Sequence, residues 1–288
     1  MGIRDNAANM ICAMRKAQVD DFGCMAHTLQ LVIHNTLFCQ AAVEKLVKKS
    51  RKFVTHFKHS EQACCRLREC QQSCDLPTHH LIQDVETRWN STYLMLQSIS
   101  EQRKALNLYS VEQGSFTMLT KTELETVDNI VTVLKPFYDA TLEISRDDAC
   151  ISLVIQIVSL LLAKLQSSME DIGLSQMKAA LHDSLNRRFS NVKAEPNLIA
   201  ATLFDPRFKS MYFSAQEKED AKKVQSFLRR PQSQQTDASA DAGSLDEQMS
   251  QPSTSSAGSS SLWDDYDNPV ETDQPTSVAS DTDYGHRT

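Results

Sequence analysis

Apolar side chains recur at intervals of three, four and seven over most of the chain between residues 41 and 230, the spacing that gathers one face of an α-helix. From Ala41 to about Cys74 the apolar stripe is Val43, Leu46, Val47, Phe53, Val54 and Phe57, and Lys45, Lys48, Lys49, Arg51, Lys52 and Lys58 fill the opposite face. Pro77 in DLPTHHLIQD removes a backbone donor and ends that helix, and another begins near Ser91. Further helices are predicted over 121–145, with Leu124, Val127, Val131, Leu134 and Tyr138 on one stripe and Pro136 as a kink, over 151–172, and over 175–189 with Met177, Leu181 and Leu185 inward. ISLVIQIVSLLLAKL (151–165) is the most apolar run. It is shorter than a membrane span and contains Gln156 and Lys164, so it reads as a buried helix. EPNLIAATLFDPRFKSMYF adds a short helix and an aspartyl-proline turn.

Residues 1–40 have a different rhythm, two short strand-then-helix units. MGI and DFGCMA are the strand-like pieces; Asp5 or Asn6 can cap the first helix, and His27 or Thr28 starts the second. Beyond Pro231 large apolar residues almost vanish. Such a segment cannot bury enough surface to offset the entropy of ordering it, so 231–288 is expected to be disordered. The expected fold class is mainly α: a partial α/β segment (1–40), a large all-helical domain (41–230) and an acidic, Ser-rich tail (231–288). No internal repeat is evident.

Composition sharpens this picture in two places. The formal charge of −7 is uneven, because 11 of the 37 acids but only one of the 30 bases lie from Gln232 onward. The body is left with 26 acids and 29 bases, a net +3, which permits a nucleic-acid surface without requiring one. Eight cysteines without a secretory signal point to a reducing compartment, cytosol or nucleus, where they are thiols or metal ligands.

Three stretches carry candidate chemistry. RDNAANM places Asp5 where a strand ends and a helix begins, a position suited to a divalent cation or to a helix cap. Cys24 and His27, spaced Cys-x-x-His, can reach one metal, but structural zinc needs four ligands. Cys70, Cys74, His79 and His80 come closest to a second pair, although a helical setting explains those thiols as well. TRWNST offers the Arg88 guanidinium for phosphate and the Trp89 indole for a base. Burial is the commoner use of such an indole, with Arg88 paired to Asp84 or Glu86 and Ser91 as the cap.

Taken in order, DNAANM, then CMAHTLQL, then DVETRWNST, then LFDPRFK closely resembles the hAT-family transposases, above all their domesticated relatives, the zinc finger BED domain-containing proteins. The resemblance runs from about Gly2 to Phe213 and resumes in the acidic WDDYD (263–267). It implies a ribonuclease-H-like domain interrupted by a helical insertion, an N-terminal BED zinc finger, a C-terminal dimerisation segment and nuclear localisation. It also implies three acids holding two Mg or Mn ions for DNA strand transfer, with zinc confined to the finger.

On that resemblance Asp5 matches the second acid, His27 lies near the active site as a phosphate contact, and Trp89 stacks on an extruded base. The finger and the other two acids are expected to lie outside this sequence. Arg4 replaces a small residue and is expected to compete for the Asp5 carboxylate. The expected protein is therefore a non-enzymatic, transposon-derived nuclear regulator without a cofactor of its own. DNA would be met by Arg88, Trp89, His27, Lys48, Lys49, Arg51 and Lys52. A truncated transposase and a helical protein-interaction module are the alternatives. A homo-oligomer through the dimerisation segment and a protein partner for the helical domain are compatible with these readings, and no membrane is implied.

Overall fold

The computed structural model describes residues 2–37, 40–113, 119–166 and 174–228. The tail from 231, with its expected disorder, lies outside them. Eleven helices and one parallel strand pair are present among these residues, so the protein is mainly helical. None of the described helices is long and apolar enough to cross a membrane.

The first elements are β1 (Gly2–Arg4), α1 (Ala8–Ala17), β2 (Asp21–Gly23) and α2 (Met25–Leu37). β1 and β2 pair in parallel with Ile3 opposite Phe22, and Arg4 O accepts from Cys24 N at 2.6 Å just beyond the pair. The two helices differ sharply in burial. α1 has no buried residue, whereas α2 buries Met25, Leu29, Val32, Ile33, Thr36 and Leu37. It begins two residues before His27, and its apolar face reaches helices far along the chain.

The basic helix expected over 41–74 is two helices, α3 (Ala41–His59) and α4 (Glu61–Ser73). Ser60 divides them: its extended backbone ends α3, and its hydroxyl caps α4 by accepting from Ala63 N. An extended linker then leads past Pro77 to α5 (Trp89–Glu101) and α6 (Arg103–Gln113), the latter not anticipated from the apolar pattern. α7 (Lys121–Ile144) starts in a reciprocal capping box between Thr120 and Glu123 and carries Pro136 within it. The apolar α8 (Leu153–Gln166) and α9 (Ser175–Phe189) follow, then α10 (Pro196–Phe204), whose first residue is a proline that gives up no needed donor, and α11 (Ala215–Leu228).

α5 packs on α7, α8 on both α7 and α9, and α2 on α5, α7 and α9. α2 is thus a central member of the helical core. The packing therefore crosses the boundary expected at residue 40. Four fully buried apolar side chains (Leu29, Val32, Ile33, Leu37) fasten α2 to that core, each worth about 1.5–3 kcal/mol of burial. Only β1, α1 and β2 remain peripheral, with Ile3, Met10 and Val19 exposed.

Candidate nucleic-acid interface

The amphipathic pattern of α3 sends Val43, Leu46, Val47, Phe53, Val54 and Phe57 into the core. That leaves Lys45, Lys48 and Lys52 exposed together on the outer face. The seven helical steps from Lys45 to Lys52 span about 10 Å along the axis, the rise of about three phosphates on one DNA strand. These lysines, with Lys49, Glu44 and Ala41, line a shallow groove of about 440 Å³. Lys48 pairs with Glu44 at 2.6 Å in an exposed i,i+4 bridge, an interaction that solvent makes cheap to exchange. Lys45 and Lys52 have no carboxylate partner among the described residues.

Two of the expected contacts are engaged elsewhere. Lys49 reaches Glu123 at 2.6 Å, tying α3 to the start of α7. Desolvation pushes the Glu123 carboxyl up, but the Lys49 bond and the Thr120 cap outweigh it and hold the group below its ordinary value. Arg51 forms a two-pronged bridge to Asp84, Nε to Oδ1 at 2.8 Å and Nη2 to Oδ2 at 2.7 Å. Its Nη1 donates to Glu86 at 2.6 Å. The Asp84 carboxylate has no solvent exposure and also accepts from the Thr92 hydroxyl at 3.1 Å. Its desolvation is overcome by the Arg51 bonds, so the carboxyl sits below its usual range. The expectation that Arg51 meets phosphate is corrected accordingly: the fork is spent on two carboxylates. The pairing expected of Arg88 with Asp84 or Glu86 belongs to Arg51 instead.

Trp89 opens α5 and is 1% exposed. Its ring meets Tyr93 edge-on with centroids 6.4 Å apart, and Tyr93 stacks on Tyr138 at 4.6 Å. Burial first, then the nearby Asp139, pushes the Tyr93 hydroxyl up to about 12. In this conformation the indole offers no face to a base, so the expected stacking residue is a core anchor. Arg88 supplies the extended N-cap backbone, and its side chain is exposed without a partner among the described residues. Ser91 caps no helix; its hydroxyl bonds Val85 N at 2.8 Å and Arg88 O at 2.7 Å, closing the turn ahead of α5. Gln30 of α2 donates to Thr87 O at 3.0 Å and holds this turn against the core.

At the strand pair, Arg4 engages the Asp21 carboxylate and donates to the backbone carbonyl of Asp5 at 3.0 Å. The expected competition for the Asp5 carboxylate is not what the geometry shows. Asp5 Oδ1 accepts from Ala7 N at 3.0 Å in a turn before α1, whose N-cap, Ala7, has no side-chain cap. His27 is exposed on the first turns of α2 and Cys24 half-buried just before it. Among the described residues no three His, Cys, Asp or Glu side chains group closely enough to hold a metal ion. Among these residues neither Asp5 nor the Cys24–His27 pair has further ligands grouped with it.

The last motif, LFDPRFK, is a corner. Asp205 accepts from the Ser152 hydroxyl at 2.6 Å and from Arg207 Nε at 3.0 Å and Nη2 at 2.8 Å. The Arg207 bonds, ahead of a small desolvation cost, hold Asp205 well below the usual carboxylate range. Arg207 also lies over the Phe208 ring at 4.9 Å. The Ser152–Asp205 link joins the start of α8 to the end of α10. It was missed because nothing in the residues around Ser152 signals a partner 53 positions away.

Comparison with known proteins agrees with this architecture. Residues 22–133 match a family model described as the ZBED1 RNase-like helical domain. The chain is 31% identical over 241 residues to the human zinc finger BED domain-containing protein 4, covering 83% of this chain and 20% of that protein. It is 33% identical over 105 residues to the "Putative AC transposase" of Zea mays (36% and 12% of the two chains). It is 37% identical over 94 residues to the "Putative transcriptional regulator tpeD" of Talaromyces stipitatus (32% and 11%). The chain thus spans about a fifth or less of the length of these curated relatives.

Proposed function

We propose, from the premise that the chain is a hAT-transposase-derived relative of the zinc finger BED domain-containing proteins, that it is a non-catalytic nuclear protein acting in DNA-associated regulation. The observation that carries this reading is the outer face of α3, where Lys45, Lys48 and Lys52 stand exposed on the side of the amphipathic helix opposite its buried face. Exposed lysines neutralise phosphates by releasing counterions and carry no sequence preference, so this face would hold duplex DNA and leave target choice to other determinants. Arg88 and His27, both exposed, are further phosphate contacts on this reading. The β1–α1–β2–α2 order with its parallel pair is consistent with a remnant of a ribonuclease-H-like domain.

The test is duplex binding by fluorescence anisotropy across a salt series, wild type against Lys45→Gln/Lys48→Gln/Lys52→Gln. Each lost phosphate contact should flatten the slope of log K against log salt by about 0.9, so the triple variant should lose about 2–3 units of slope with little change in melting temperature. An unchanged slope removes α3 from the interface. A second reading, docking of a protein partner, is favoured by one observation: Ile3 at 63% and Val19 at 44% exposure form apolar surface on the peripheral strand pair and its crossover.

A further inference from the structure

One edge of the α3 lysine face is fastened to another helix. Lys49 lies four positions after Lys45 and three before Lys52, the spacings that make helix residues surface neighbours. Its ammonium reaches Glu123 Oε2 at 2.6 Å, with both side chains about a third exposed, so the first turn of α7 is held beside this edge. That turn is itself fixed. Thr120 Oγ1 accepts from Glu123 N at 3.2 Å, and Glu123 Oε2 accepts in return from Thr120 N at 2.7 Å. The other flank of α3 differs in kind. Arg51, about 200° around the helix from Lys49, is bound to Asp84 and Glu86, and the Glu86 carboxylate is 75% exposed. The basic face is thus bounded by acid on one flank and meets α7 on the other.

Lys121 sits in this same turn, between the two capping partners. It is exposed and has no carboxylate partner among the described residues. Glu125 follows at the spacing of an i,i+4 pair, yet no bond joins the two. We infer that the DNA-facing surface continues from α3 onto the first turn of α7, with Lys121 as a phosphate contact and Glu123 as the acid that keeps Lys49 from phosphate. This rests on the reading of α3 as a duplex-binding face and extends it to a second helix. The partner is the sugar-phosphate backbone of duplex DNA. An exposed lysine neutralises a phosphate and releases its counterions, whereas Lys49 must first give up a charge-assisted bond.

Two substitutions within this one turn should therefore act in opposite directions. Lys121→Gln removes a charge and breaks no bond, so it should flatten the slope of log K against log salt by about 0.9 at an unchanged melting temperature. Raising salt from about 50 to about 200 mM would then cost about 3.5-fold less affinity than in wild type. Glu123→Gln keeps a side-chain oxygen that accepts from Thr120 N, since glutamine also closes a capping box. It frees Lys49 and should steepen the slope by about 0.9, with a lower melting temperature from the lost bridge to α3.

The experiment measures duplex binding by the full chain across the salt series for wild type, Lys121→Gln, Glu123→Gln, the α3 triple variant and Lys218→Gln. Lys218 is an exposed lysine of α11 and controls for the loss of any one charge. A flatter slope for Lys121→Gln, a steeper one for Glu123→Gln and a wild-type slope for Lys218→Gln bear the inference out. A wild-type slope for Lys121→Gln beside a flattened triple variant overturns it and leaves the α3 reading standing. Wild-type slopes for every variant, the triple included, overturn both. Equal flattening by Lys121→Gln and Lys218→Gln overturns the assignment to this turn, and so does a slope for Glu123→Gln that is no steeper than wild type. If Glu123→Gln fails to fold, the comparison of Lys121→Gln with Lys218→Gln decides.

Discussion

Replacing Arg51 by methionine tests the separation between residues that build the fold and residues offered to DNA. The change keeps much of the aliphatic stem and deletes the fork, stranding an Asp84 carboxylate that has no exposure to solvent. Removing one partner of a buried pair costs about 3–5 kcal/mol. Arg51 is itself 19% exposed and Thr92 still donates to Asp84, which places the expected loss near the lower bound. For a domain of this size that corresponds to a melting-temperature drop of about 6–12 °C, at about 2–4 °C per kcal/mol.

The pH dependence follows from the same pair. Asp84 is depressed in the folded protein, so its contribution is present above the unfolded carboxyl value of about 4 and is lost as pH falls through the folded value. The gap between wild type and Arg51→Met should therefore narrow in acid. The double variant Arg51→Met/Asp84→Asn should recover part of the loss, since it strands no charge. Urea and thermal unfolding at pH 7 and pH 3 measure all three. A drop under about 2 °C, a gap that persists unchanged in acid, or a double variant no better than the single one would refute the reasoning. Retained DNA affinity in the folded Arg51→Met protein is expected as well, and its loss would return Arg51 to the interface.

Trp89→Ala should cost about 3–5 kcal/mol of stability as a core truncation. The affinity of the remaining folded protein for duplex or flapped DNA should not change; a further loss of about 1–3 kcal/mol in binding would show that the indole leaves the core to stack on a base. Gln156 is fully buried in α8 with neither side-chain polar atom partnered, so Gln156→Leu should stabilise by about 1 kcal/mol. A lower melting temperature would mean that an ordered water satisfies the amide. Ser60→Ala removes the cap of α4 and should cost about 1 kcal/mol, read from a shift in the urea midpoint without a change in slope.

The helical periodicity was legible because it reports a local fact: which side of a helix faces the core. It placed α7, α8 and α9 and separated the apolar side of α3 from its lysines. It did not find the break at Ser60, because a single serine between two amphipathic stretches does not interrupt the helical pattern, and only the cap geometry reveals it. The site residues failed for the complementary reason. Whether Arg51 is an interface residue depends on Asp84, 33 positions away, and whether Trp89 is a ligand contact depends on its burial beside Tyr93, which in turn stacks on Tyr138. Motif order identified the kinship without fixing roles, since LFDPRFK is kept together here by a corner of bonds from Asp205 to Ser152 and Arg207. The order of the motifs reports kinship, while the bonds that Asp84 and Asp205 make here are spent on holding the helices together.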